Sequence, residues 1–218
     1  MTEAEFLDRA RTHLRPEPIG HLDDARGDHD LNRTAPRKPD PKRAAVLIPV
    51  VRRTAGLTVL FTRRSGALRA HSGQISFPGG RIDAADASPL AAALREAREE
   101  IGLDARFVEP LGYSDTYLST SGYLVTPAVG LVSEGFSLAL NPAEVDEVFE
   151  TPLAYALDDA HFELHVRPWG GVLRRYYALP FENRYVWGVT AGILRHFTER
   201  LRDGGRDHDR DDHRSEAR

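Results

Sequence analysis

The segment running from Pro78-Gly79-Gly80 to Gly102-Leu103 constrains this chain more than any other. Leu90, Leu94, Ala97 and Ile101 recur at helical spacing, which predicts a helix over 88–101 with that stripe turned to a core. Gly102 stands where a left-handed residue would end the helix. Projected at ~100° per residue, Glu96, Glu99 and Glu100 fall together on the flank opposite the stripe. For helix stability this is a poor arrangement. Glu96 and Glu100 are like charges at i,i+4, a cost of ~0.2–0.5 kcal/mol that an Arg95–Glu99 pair only partly offsets. Glu99 and Glu100 also lie at the negative end of the helix dipole, where cations are favoured. A Glu-rich face is usually just solvated, but these two costs argue for a divalent cation that neutralises the carboxylates. Hard cations such as Mg²⁺ take carboxylate and carbonyl oxygens. The Gly79-Gly80 pair lets the backbone approach a ligand closely, so a carbonyl near Gly80 is a candidate to join the glutamates.

Around this helix the pattern is that of a mixed α/β domain. Apolar or β-branched runs at 44–51 and 57–63, split by Thr54-Ala55-Gly56, predict a hairpin. Strands are expected at 74–77, around 106–113 and at 123–132. A second hairpin is expected from 162–167 and 172–179, with Pro168-Trp169-Gly170-Gly171 between them. A helix over 187–201, with Trp187 in the core, closes the domain. Phe6, Ala10 and Leu14 predict a short amphipathic helix at the N-terminus. Residues 15–43 carry five prolines among polar residues and predict an extended wrapping or flexible lead-in. From Asp203 onward the chain is Asp, Arg, His and Gly, too polar to offset its ordering entropy, and disorder is expected. The histidines and aspartates there are read as a solvated tail rather than a metal site. The organisation is thus 1–43 lead-in, 44–202 globular domain and 203–218 polar tail.

Composition removes several classes of function. There is no cysteine, so disulfides, thiolate metal sites and a cysteine nucleophile are excluded. A net charge of −4 gives no basic surplus for nucleic acid. No apolar run approaches the length of a membrane span, and the acidic N-terminus is unlike a secretory signal. A cytoplasmic location is the default expectation, with no membrane and no nucleic-acid partner. A homodimer is compatible with the sequence but not indicated by it.

The run Arg95-Glu96-Ala97-Arg98-Glu99-Glu100-Ile101-Gly102-Leu103 resembles the second half of the Nudix box, Arg-Glu-apolar-x-Glu-Glu-x-Gly-apolar, position by position. The first half departs from that box: Asp86 stands where its first glutamate would be, and Gly80 to Arg95 is one residue longer. Asp86 is therefore also open to reading as a helix cap with Ser88. Upstream, Leu60-Phe61-Thr62-Arg63-Arg64-Ser65, Arg69, Gly73 and Phe77-Pro78-Gly79-Gly80 are similar to the extra motif of the coenzyme A pyrophosphatase branch, with Phe61 in place of a leucine. The resemblance extends to 186–191 and implies a Nudix fold, a mixed β-sheet core sandwiched between helices.

It also implies hydrolysis of the diphosphate of CoA or acyl-CoA, with Mg²⁺ or Mn²⁺ on Glu96, Glu99 and Glu100. Glu99 and Glu96 are the candidates for general base. Arg63, Arg64, Arg69, Gly73, Gly79 and Gly80 are the expected substrate-binding positions, because arginines clamp phosphate oxygens by charge-assisted hydrogen bonds. Each arginine alone could equally be a surface residue with a packed stem, and His71 is more readily a structural hydrogen-bonder. Glu144 and Glu147 could reach in as bases, though a solvated loop is the plainer reading of both. A Nudix enzyme for ADP-ribose or another nucleoside diphosphate derivative, and a non-catalytic Nudix ligand-binding module, are the competing readings.

Overall fold

The computed structural model describes residues 1–32, 39–68, 71–169 and 171–204. Its elements in chain order are α1 (Glu3–His13), β1 (Arg26–Gly27), α2 (Asp28–Leu31), β2 (Lys42–Val51), β3 (Thr58–Arg64), β4 (Ile75–Ser76), β5 (Gly79–Arg81) and α3 (Pro89–Ile101). Then come β6 (Val108–Tyr113), β7 (Tyr117–Leu118), β8 (Tyr123–Val132), β9 (Val145–Pro152), α4 (Leu153–Ala156), β10 (Glu163–Trp169), β11 (Val172–Phe181), β12 (Arg184–Trp187) and α5 (Val189–Asp203).

The core is one large mixed sheet. β2 and β8 lie parallel at its centre, from Lys42 opposite Tyr123 to Val51 opposite Val132, and both are apolar on both faces because helices cover both. α3 packs Ala92, Ala93, Ala97 and Ile101 on one face, against Ala45, Leu47 and Leu60. α1 and α5 pack Phe6, Ala10, Leu194, Phe197 and Leu201 on the other, with Ile48, Val59 and Phe61. The sheet is thus sandwiched between helices, as expected.

The hairpin expected from 44–51 and 57–63 is paired only at its closed end, Val50 with Val59 and Val51 with Thr58. Beyond that the strands part. β3 turns to pair with β9 and β4, while the start of β2 takes β5 instead, with Ala45 opposite Gly80 and Val46 opposite Gly79. This splay brings the Gly-Gly backbone into the sheet, beside α3.

Several expectations need correction. The helical stripe is rotated: Ala93, Ala97, Glu100 and Ile101 are buried, whereas Leu90 and Leu94 are only half-buried. Glu100 therefore borders the core instead of lying opposite it. Segment 145–152 is strand β9, so Glu147 is not a loop residue. Trp187 ends β12 and is half-buried, edge-on to Tyr176. Described parts of the lead-in are ordered. Arg15 bridges to Tyr113, β1 runs parallel to β7, and the Asp28 carboxylate accepts from Tyr117 Oη at 2.7 Å and from the Thr120 amide at 2.7 Å. The expected disordered tail falls, apart from Asp203 and Gly204, outside the described residues, as does Arg69.

Candidate active site

α3 is delimited as its sequence dictates. Ser88 Oγ accepts from Ala91 N at 3.1 Å, Pro89 occupies the first turn, and Gly102 closes the helix at φ 71°. The last carbonyls of the helix have partners outside it. Ala139 N donates to Ile101 O and Asn141 N to Glu100 O, both at 2.9 Å. A Cβ on Gly102 would meet Ala139 N at 2.8 Å, so only glycine admits this loop. The loop then returns Glu144, whose Oε1 accepts from Asn141 Nδ2 at 3.1 Å and whose carbonyl accepts from Ser65 N at 2.8 Å.

The glycine pair is required by close approach. A Cβ on Gly79 would lie 2.4 Å from Ala45 O, inside the neighbouring strand; one on Gly80 would lie 2.4 Å from Glu96 Cδ. The Glu96 carboxylate thus rests directly on the Gly80 backbone. Glu100 is buried beside it, with only 4% of its side chain exposed. Its Oε2 accepts from Gly79 N at 3.1 Å, and its Oε1 stands 3.9 Å from Arg64 Nη1.

Burial raises the Glu100 carboxyl to about 7, with Glu96 and Glu144 adding to the rise and the Gly79 amide and Arg64 opposing it. Burial also raises Glu96, against the pull of Arg95. Glu144 acts on both, so the three carboxylates share one electrostatic neighbourhood. Glu99 is the exposed member of the set, 2.9 Å from Arg95 Nη1 through its Oε2.

Arg95 organises the loop. Its Nε and Nη2 each lie 3.0 Å from an oxygen of Asp86, its Nη2 also donates to Arg81 O at 3.1 Å, and its Nη1 reaches Glu96 at 3.0 Å. Asp86 accordingly forks Arg95, and the helix cap is Ser88 alone.

Among the described residues no group of three His, Asp or Glu side chains stands in metal-holding geometry, and Arg95 Nη1 donates to both Glu96 and Glu99. The donor set still fits a hard divalent cation: two desolvated carboxylates crowd one another against a glycine backbone that leaves room for them.

The arginines diverge. Arg64 faces the α3 side and Glu100, whereas Arg63 pairs with Glu147, which also holds Arg184 at 2.6 Å. Gly73 adopts φ 69°, and its amide donates to Arg64 O at 3.1 Å, so it shapes the backbone that carries Arg64. His71 bonds Gln74 Oε1 at 2.8 Å, a local structural contact.

A NUDIX domain family model matches residues 41–170. The chain belongs to the Nudix family. A Nudix hydrolase NudL of Photorhabdus laumondii, itself described as uncharacterized, is 41% identical over 170 residues, covering 75% of this chain and 90% of the relative. The NudL protein of Yersinia pestis, described in the same words, is 39% identical over 201 residues, covering 91% and 94%. A MutT protein from Methanosarcina mazei shares 19% identity at a TM-score of 0.45, covering 80% of this chain and 99% of that one. As a Nudix hydrolase the protein acts on a diphosphate substrate, in a family that generally uses divalent ions such as Mg²⁺ or Mn²⁺. No described helix is long and apolar enough to cross a membrane.

Glu144, which the sequence offered as a base able to reach in but more plainly as a solvated loop residue, stands in the electrostatic neighbourhood of Glu96 and Glu100. The signal for that placement was available in principle: a Gly-terminated helix must find donors for its last carbonyls, and the Asn141-Pro142-Ala143-Glu144 turn supplies them.

Proposed function

We propose that this Nudix hydrolase cleaves the diphosphate of coenzyme A or an acyl-CoA, giving 3′,5′-ADP and (acyl-)4′-phosphopantetheine. The observation that carries this reading is Arg64. It comes from the Leu60–Gly80 segment that resembles the CoA pyrophosphatase motif, and its guanidinium stands 3.9 Å from the buried Glu100 carboxylate. A cation at that position suits a phosphate oxygen next to the Glu cluster, by charge-assisted and often bidentate bonding.

In this reading Glu96, Glu99 and Glu100 hold Mg²⁺ or Mn²⁺. The bound cation supplies polarisation of the phosphoryl group and a water acidic enough to attack at neutral pH. Gly79 and Gly80 keep the backbone low enough for the diphosphate to lie against it, with the Gly79 amide already turned to Glu100. Arg64 anchors phosphate oxygens. Arg63 would join only by leaving Glu147, and Arg69 is proposed from the motif alone. The attacking water is deprotonated by Glu99 or Glu96. Glu99 has the readier access, being exposed; burial makes the Glu96 carboxylate hold a proton more readily than an ordinary carboxylate.

The test is a substrate panel under one set of conditions: CoA, an acyl-CoA and ADP-ribose with Mg²⁺ or Mn²⁺, compared by kcat/KM. CoA or acyl-CoA should lead by at least about tenfold, ~1.4 kcal/mol in transition-state binding. Cleavage of ADP-ribose without cleavage of CoA would overturn the proposed substrate and leave the hydrolase reading intact.

A further inference from the structure

The three-stranded antiparallel sheet β10-β11-β12 ends on one side at β10, an edge strand with exposed apolar side chains: Leu164 is 53% and Val166 55% exposed. An open strand edge is a template for pairing, and native chains usually cover or blunt it. Among the described residues the opposite open edge is covered, while no strand pairs with this one. Beyond the end of β12, the Asn32 side-chain amide bonds both backbone groups of Arg175 in β11, accepting from its N–H at 2.8 Å and donating to its C=O at 2.9 Å.

The same contact fixes the direction of the β10 backbone. Arg175 lies opposite Val166, and since its N–H and C=O point away from β10, the pair is a non-hydrogen-bonded one. Tyr177, opposite Leu164, likewise turns its carbonyl outward, to Gly188 N at 3.0 Å. By the alternation of antiparallel ladders, Leu164 and Val166 aim their own N–H and C=O groups off the open edge. Pro168 shares that parity, so its missing N–H costs the hairpin nothing.

We infer that β10 pairs antiparallel with β10 of a second copy of this chain, about a two-fold axis at His165. In that register Leu164 of one copy and Val166 of the other exchange backbone hydrogen bonds, and symmetry repeats the exchange. Glu163 then faces Arg167 of the second copy in a non-hydrogen-bonded pair, where side chains come closest, and opposite charges stabilise such a pair. Moving the axis to Val166 sets His165 against Arg167 and puts Pro168 into the ladder. Moving it to Leu164 leaves Arg167 without a partner. Only the His165 register uses both outward donors, sets Glu163 against Arg167 and keeps proline out; His165, which holds Glu163 of its own copy at 2.6 Å, then meets its counterpart on the axis. The surface is self-complementary, as an isologous interface must be.

The edge alone is smaller than a standard interface, so the dimer should be weak and form at tens to hundreds of micromolar. Sedimentation equilibrium of the full chain over that range tests it. A monomer–dimer equilibrium is expected, weakened at least about tenfold by Arg167→Glu or by Glu163→Arg, each of which sets like charges across the axis. The double variant Glu163→Arg/Arg167→Glu should restore it, because the pair is re-formed with its signs exchanged. Val166→Pro, which removes an outward donor, should weaken association, with circular dichroism checking that the fold is kept. A strictly monomeric chain at several hundred micromolar would overturn the proposal. So would association indifferent to the single charge reversals, or a double variant that fails to recover.

Discussion

Asp86 and Arg95 are joined by a two-pronged ion pair, Nε to Oδ1 and Nη2 to Oδ2, both at 3.0 Å. This pair lies where the sequence departs from the Nudix box. Asp86 is one methylene shorter than the glutamate of the pattern, and the segment to Arg95 is one residue longer. In this loop the aspartate reaches the Arg95 guanidinium, which also donates to the Arg81 carbonyl and to Glu96.

Asp86→Asn should therefore keep the fold and lower turnover by about 10–100-fold, the usual effect of losing a residue that orients metal ligands. Asp86→Glu alone should recover little, since the longer side chain meets a loop spaced for aspartate. Combining it with deletion of Ala87 should recover more. Steady-state kinetics on the three proteins, with circular dichroism for folding, checks the coupling; equal activity in all three would contradict it.

The two glycines should fail differently. A methyl group at Gly79 meets the backbone of β2, which cannot yield, whereas one at Gly80 meets the mobile end of Glu96. Gly79→Ala should cost about 1–3 kcal/mol of stability or more. Gly80→Ala should leave the melting temperature nearly unchanged while weakening metal binding and turnover. Thermal melts and Mn²⁺ titration of both variants separate the two effects.

The pH dependence of the metal-free protein follows from Glu100, raised to about 7 in the fold against 4.5 when unfolded. Between those values the folded state holds the proton more tightly, so stability is greatest below about 4.5 for this group and falls as pH rises toward 7. The ceiling is about 3 kcal/mol. In chelator, melts should therefore show a decline in this group's contribution from pH 5 to 8. Glu100→Gln should flatten it, and Mg²⁺ or Mn²⁺ should reverse it in the wild type only. A metal-free profile identical for wild type and Glu100→Gln would contradict the assignment.

Far from the site, Arg200 is 2% exposed and donates to Asp115 Oδ1 at 2.6 Å and to His13 O at 3.0 Å, tying α5 to the end of α1. Arg200→Ala leaves the Asp115 carboxylate buried without this partner, a loss of about 3–5 kcal/mol. Chemical denaturation should register that loss, with KM little changed in whatever fraction stays folded.

Much of this was legible from residue patterns, and the limits have physical causes. α3 could be read because caps, periodicity and charge all agree over 88–102. Its rotation could not. Leu90 and Leu94 outweigh alanines on any hydrophobicity count, yet the close approach of α3 to β2 selects Ala93 and Ala97 for the interior and leaves the leucines at the margin. β9 reads as a loop because Asp146, Glu147 and Glu150 interrupt it; Phe149 and Thr151 are buried at alternate positions, and across an irregularity in its pairing with β3 Val145 packs into the α3-side cluster while Phe149 packs into the other. Arg63 and Arg64 are adjacent in sequence and were grouped as one clamp, but strand alternation sends them to opposite faces of the sheet. Glu144 depends on a contact across 40 residues of chain, between the end of α3 and the loop leading into β9, which no local window contains.

The proposed function has the glutamates of α3, beside Arg64 and the glycine pair, serve cleavage of the CoA diphosphate. The most direct measurement is chromatographic product analysis of CoA incubated with Mn²⁺ and either the wild type or Glu99→Gln and Glu100→Gln. Expected are equal amounts of 3′,5′-ADP and 4′-phosphopantetheine from the wild type, none in chelator, and a loss of at least about 100-fold in each folded variant. Intact CoA with the wild type, or undiminished cleavage by the variants, would contradict it.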